Sequence, residues 1–235
     1  MAENGIKILS VGAPKTGVSK CAEAFSERTG TPVEVEFATA PVLKKTINSG
    51  ACEADIVVAP VGAAEGFESA GHTVVGVGAV VGSVKAAVTV KNDAIEPDLS
   101  SGETLKQAIL SAESVVYNEA SSGQYIASMI EKMGITDKIA GKVLITKTGS
   151  AVMQHLDQSP LKNEIGFGQA TEIQVQIDKG CDVKLLGTLP KEVEKISTYK
   201  TALLARAADN QTAKDLIDFM ASAEGQSICK ATGLI

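Results

Sequence analysis

Apolar and polar positions along the chain alternate between two periods. Ile6–Val11 is a short apolar run of strand type. After it, Val18, Cys21, Ala22 and Phe25 recur at helical spacing over residues 18–28, and Gly30 stands where a left-handed residue ends a helix. Val33-Glu34-Val35-Glu36-Phe37 has period two and predicts a half-exposed strand. Residues 42–48 predict another helix, closed by Ser49-Gly50. Residues 54–59 are almost continuously apolar, as in a strand covered on both faces of a parallel sheet. This β-α-β-α-β order predicts an α/β fold with right-handed crossovers.

A second cycle follows. Strands are expected over residues 86–90, 114–117, 142–145, around 165–168, and over 183–186 and 201–205. Helices are expected over residues 123–133, through Val152, Met153 and Leu156, over 212–221 and over 225–231. Gly76–Gly82 is glycine-rich but precedes a strand rather than a helix, so it lacks phosphate-binding geometry and reads as a connection into a second lobe. There is no repeat, low-complexity tract or Pro/Gly linker. Two α/β lobes, with the chain passing from one to the other and back, fit this order.

Composition narrows the function. The chain has 235 residues, 44% apolar and 21% charged, in the range of an ordinary globular protein and sufficient for one unit or two small lobes. Aromatics are only 3%, there is no Trp, and the net charge is −6. Nucleic-acid binding is therefore not expected, because it calls for a basic face and stacking platforms. No stretch approaches the roughly 20 apolar residues that span a bilayer. Cys21, Cys52, Cys181 and Cys229 lie far apart, without CxxC or metal-ligand spacing, and read as small buried or half-buried groups. No metal and no cofactor is expected. Unpaired thiols and the absence of an export signal after Met1 favour the cytoplasm; a start Met placed before a mature exported chain is the alternative.

Several segments together resemble the molybdate-binding proteins of ABC transporters, which have a type 2 periplasmic-binding-protein fold. They are Ala22 to Phe25 running into Thr29-Gly30-Thr31-Pro32-Val33, and Leu43 to Gly50 followed by Ala54-Asp55-Ile56-Val57-Val58. Ser122-Gly123-Gln124-Tyr125, Glu164 to Gly168, and Ser222-Ala223-Glu224-Gly225-Gln226 complete the set, in order over nearly the whole chain. The resemblance implies a two-lobed α/β fold with mixed sheets and a ligand cleft between the lobes. One lobe would comprise residues 1–82 and 198–235, the other residues 83–197. It also implies an ABC permease as partner if the chain is exported.

In such a fold, loops from a strand end to a helix start line the cleft, and helix starts attract anions through free N–H groups and the helix dipole. The matching places here are Ala13-Pro14-Lys15-Thr16, Thr39-Ala40-Pro41, Ser121-Ser122-Gly123 and Thr148-Gly149-Ser150, with Phe167 and Gln169 on the strand that carries a ligand Tyr in the molybdate binders. Each place is equally an ordinary helix cap. The departures carry information. Ala13, the serine-free run at Thr39 and Phe167 remove hydroxyl donors that a desolvated oxyanion needs, each worth about 1–3 kcal/mol. Lys15 adds a cation suited to a carboxylate.

The expected ligand is therefore a small organic anion, a di- or tricarboxylate. Aconitate isomerase is similar to the same fold, so isomerisation of an unsaturated polycarboxylate by allylic proton transfer is the alternative. It would take Glu119, between a strand end and a helix start, as base if desolvation raised its pKa, and Lys15 as anchor. His72 and His155 read as structural or surface residues.

Overall fold

A computed structural model describes residues 5–235; the expectation resting on Met1 lies outside them. The elements are β1 (Ile6–Val11), α1 (Lys15–Thr29), β2 (Val33–Ala38), α2 (Ala40–Asn48), β3 (Ile56–Pro60), α3 (Val61–Ser69) and β4 (Val80–Lys91). Next come α4 (Gly102–Ser111), β5 (Ser114–Asn118), α5 (Ser121–Lys132), α6 (Thr136–Ile139), β6 (Val143–Thr146) and α7 (Gly149–Gln158). The chain ends with β7 (Glu164–Gln169), α8 (Ala170–Asp178), β8 (Val183–Thr188), β9 (Ile196–Leu203), α9 (Gln211–Ala221) and α10 (Ala223–Ala231). It forms two compact units, one made of residues up to Val84 with Ser197–Ile235, the other of Lys85–Ile196.

The first unit is built on strands in the order β2-β1-β3-β9. The first three are parallel, joined through α1 and α2, and β9 returns antiparallel with Thr201 opposite Val58. The alternation seen in the sequence explains the order. β2 keeps Glu34 and Glu36 exposed and Val33 and Val35 half-buried, which suits an edge, whereas Ile56 to Ala59 of β3 are completely buried. α1 buries Val18, Cys21, Ala22 and Phe25, and Gly30 at φ 76° ends it by donating its N–H to Ser26 O at 2.9 Å. Phe25 meets Phe219 of α9, ring centroids 5.9 Å apart.

The second unit has the order β8-β4-β7-β5-β6, with β5, β6 and β7 parallel and β4 antiparallel to both β7 and β8. Strand alternation divides its core between two faces. Val115, Tyr117, Ile165 and Phe167 meet Leu105, Ile109, Ile126 and Ile130 from α4 and α5. Val116 and Ala87 meet Val152, Met153, Leu156 and Ile173 from α7 and α8. On that second face Gly166 admits Leu156 and Val152, which would lie within 2.6 and 3.1 Å of any Cβ there.

The strand expected over 201–205 lies instead over Ile196–Leu203, because Leu204 leaves the sheet for a bridge to Thr73 and a 3-10 turn begins at Ala205. α4 and α8 escape the apolar pattern because each fully buries few apolar side chains, Leu105 and Ile109 in α4 and Ile173 alone in α8, where Ile177 is half-buried. Residues 77–79 run beside β9, where Ala79 O accepts from Thr201 N at 2.8 Å, and lead into β4.

Candidate functional site

Parallel strands share a direction, so in each unit their carboxyl ends lie along one edge and the helices that follow begin there. In the first unit these starts belong to α1, α2 and α3. After β1 the chain turns within Gly12-Ala13-Pro14; Lys15 N donates to Gly12 O at 3.1 Å and Val18 N to Pro14 O at 3.0 Å. Ala13 is buried, and Lys15 and Thr16 are half-buried in the first turn. Thr39 precedes α2 in an extended conformation, with Pro41 in the first turn, and its hydroxyl makes no capping bond. The third start, Pro60-Val61, was not singled out from the sequence. The signal was available in a buried strand that runs straight into Pro60 with no intervening loop.

In the second unit the starts belong to α5, α7 and α8. Asn118, 1% exposed, organises the first. Its Oδ1 accepts from Ala120 N at 2.8 Å and its Nδ2 donates to Ser122 Oγ at 3.1 Å. The Ser122 hydroxyl is therefore engaged locally, while Ser121 is exposed. Gly123 is required because a Cβ would run into Asn118 O. Thr148 caps α7 by accepting from Ala151 N at 3.2 Å, with Ser150 half-buried behind it.

Charge separates these starts. α1, α2, α3, α5 and α7 carry no acidic residue in the first turn, where carboxylates normally balance the dipole, and α1 places Lys15 there. α8 carries Glu172 in its first turn, and that carboxylate lies against Gly149, where a Cβ would overlap it. The positive end of α7 thus already faces a carboxylate of the same unit.

Two expectations change, those for Phe167 and Glu119. Phe167 is completely buried in the core of the second unit, so its ring is a packing group and not a ligand wall. Gln169 ends the same strand at 3% exposure, directly before α8. Glu119 lacks the dry setting expected of a base: its side chain is 52% exposed and its carboxylate lies 3.3 Å from Lys147 Nζ.

The histidines are structural. His155 Nε2 lies 3.0 Å from Glu164 Oε1, and His72 uses its backbone to bind Phe67 O and Ala205 N. His72 also borders a cavity of about 160 Å³ beside Cys52 and Arg206, at the opposite edge of the first unit's sheet from the helix starts. Among the described residues no group of three or more His, Cys, Asp or Glu is arranged to hold a metal ion, and no helix is long and apolar enough to cross a membrane.

Residues 6–235 match the family model described as "Bacterial extracellular solute-binding protein". Aconitate isomerase from a Pseudomonas species is 23% identical over 97% of this chain and 87% of its own length. The periplasmic molybdate-binding protein of Azotobacter vinelandii superposes with a TM-score of 0.76 at 14% identity, covering 98% of each chain. The sulfate-binding protein of Mycobacterium tuberculosis does so at 0.78 and 13%, covering 98% of this chain and 86% of that one. The fold is thus that of the two-lobed periplasmic binding proteins. The family's extracellular description supports the exported alternative and gives no support to the cytoplasmic one.

Proposed function

The chain belongs to the bacterial extracellular solute-binding protein family, and we propose that within it this protein is a receptor for a small organic anion, a di- or tricarboxylate. One observation carries the reading: α1, α2, α3 and α5 have no acidic residue in the first turn, and the first holds Lys15. Several positive helix ends with no acidic residue in the first turn favour a ligand with spread negative charge. The lack of serine at Ala13 and in the Thr39 run disfavours a small tetrahedral oxyanion, which needs many hydroxyl donors at short range. Proposed contacts are Lys15, Thr16, Thr39, Ala40, Pro41, Ser121, Ser122 and Gly123; Thr148, Gly149 and Ser150 are weakened as contacts by Glu172. A membrane-spanning ABC permease, met from its outer side, is the corresponding partner of the exported chain.

Thermal unfolding against molybdate, sulfate, citrate, cis- and trans-aconitate and aromatic acids tests this. Stabilisation by a di- or tricarboxylate, with affinity falling about tenfold or more in Lys15→Ala, is the expected result. Stabilisation by molybdate or sulfate alone refutes it.

The likeness to an aconitate isomerase favours a second reading, allylic proton transfer on an unsaturated tricarboxylate. Lys15 would anchor the substrate, and Glu119 would serve as base only if ligand binding displaced Lys147 and dried its carboxylate. Proton NMR of trans-aconitate with the protein separates the two: conversion to the cis isomer establishes turnover, and an unchanged spectrum with bound ligand leaves the receptor.

A further inference from the structure

Two thiols of the first unit meet between α1 and α10. Cys21 Sγ lies 3.7 Å from Cys229 Sγ, and the two residues are 0% and 1% exposed. They stand 208 positions apart in the sequence, so their contact joins the beginning of the unit to its end. It is the one sulfur–sulfur contact among the described residues; Cys52 and Cys181 are each half-buried elsewhere. The 3.7 Å separation is van der Waals contact, from which side-chain rotation must bring the sulfurs to about 2.05 Å for a bond. Gly17 lets the C-terminal residues pack closely on α1 beside the pair, since a Cβ there would stand 2.8 Å from Leu234 Cδ1 and 3.4 Å from Cys229 Sγ. The proton is unevenly held. The hydrogen bond with Cys229, together with burial, pushes the Cys21 thiol up, whereas the same contact draws Cys229 down against its own burial.

We propose that Cys21 and Cys229 form a disulfide when the protein meets a disulfide donor, as an extracellular family member does in an oxidising compartment. One thiol of the pair, as its thiolate, attacks one sulfur of the donor, the donor S–S bond breaks, and one thiolate leaves. The other thiol, giving its proton to that leaving thiolate, then attacks the protein sulfur of the mixed disulfide and expels the second thiolate, which takes up a proton from water. Two protein thiols are oxidised by two electrons and one donor disulfide is reduced to two thiols. Because both sulfurs are buried, exchange proceeds while α10 is undocked, so it is fast during folding and slow in the folded chain. The bond closes nearly the whole chain into a loop and restricts the unfolded ensemble accordingly.

The test is to unfold the purified full-length chain, refold it in a mixture of oxidised and reduced glutathione, alkylate the remaining thiols and map peptides without reduction. The expected product joins the Cys21 peptide to the Cys229 peptide, with Cys52 and Cys181 alkylated. Its Tm should exceed that of the dithiothreitol-treated protein by roughly 5–10 °C. That increment should vanish in C229S and persist in a C52S/C181S double variant. Four alkylated cysteines, glutathione carried separately on Cys21 and Cys229, or a bond involving Cys52 or Cys181 would each overturn the proposal. The map of the unmodified chain decides this even if the serine variants fold poorly.

Discussion

Glu164 is 4% exposed at the start of β7; Oε1 meets His155 Nε2 at 3.0 Å, and the buried Oε2 has no partner among the described residues. Removing His155 leaves the carboxyl group with less still. His155→Ala should therefore cost about 1–3 kcal/mol, read as a lower urea midpoint, although alanine is the better helix former. A loss under about 0.5 kcal/mol would show that water replaces the imidazole without penalty. Tyr117, 8% exposed, behaves differently because burial raises its phenol above the ordinary value. A raised folded-state pKa contributes stability that is complete below the unfolded value of 10.0 and is lost as pH rises through the folded one. Between pH 8 and pH 11 the unmodified chain should lose more stability than Tyr117→Phe, measured by urea unfolding at both values; equal losses would exclude Tyr117. Single residues were the least legible feature of the sequence. Phe167 and Glu119 both sit next to strand ends, but side-chain direction and a neighbour 28 positions away, Lys147, decided that one is core and the other a solvated ion pair.

Helix starts show the same dependence on neighbours at the level of elements. The strand-helix alternation was readable because β1, β3, α1 and α5 bury apolar residues at their own period. Strand-end starts could therefore be placed from sequence in both units. Their internal neutralisation could not, since Glu172 reaches Gly149 from a different helix. Glycines within helices separate local from tertiary constraint. Gly66 in α3 has nothing within 4 Å of a notional Cβ, so Gly66→Ala should stabilise the protein by about 0.5–1 kcal/mol through helix propensity alone. Gly123 in α5 faces Asn118 O, so Gly123→Ala should lower Tm and abolish carboxylate binding by unseating the Asn118-Ser122 turn. If Gly123→Ala retained ligand affinity, the α5 start would be removed from the proposed site.

The first unit is closed by the two ends of the chain, which no local pattern records. Leu234 packs on Gly17, where a Cβ would come within 2.8 Å of its Cδ1, and Ile235 exchanges backbone hydrogen bonds of 2.9 and 2.7 Å with Ser83. The second unit, Lys85–Ile196, is one continuous stretch with its own two-faced core. Removing residues 232–235 strips the first unit of Leu234, 3% exposed, and of both bonds to Ser83. Hydrogen exchange on the truncated chain should then show protection falling in β1, α1 and β3 while β5, β7 and α5 keep theirs. Equal loss in both sets would mean that the units unfold as one cooperative body. The same measurement on oxidised protein adds the covalent tie. With Cys21 bound to Cys229, α10 cannot leave α1, so truncation should cost the first unit less protection than it does in the reduced chain.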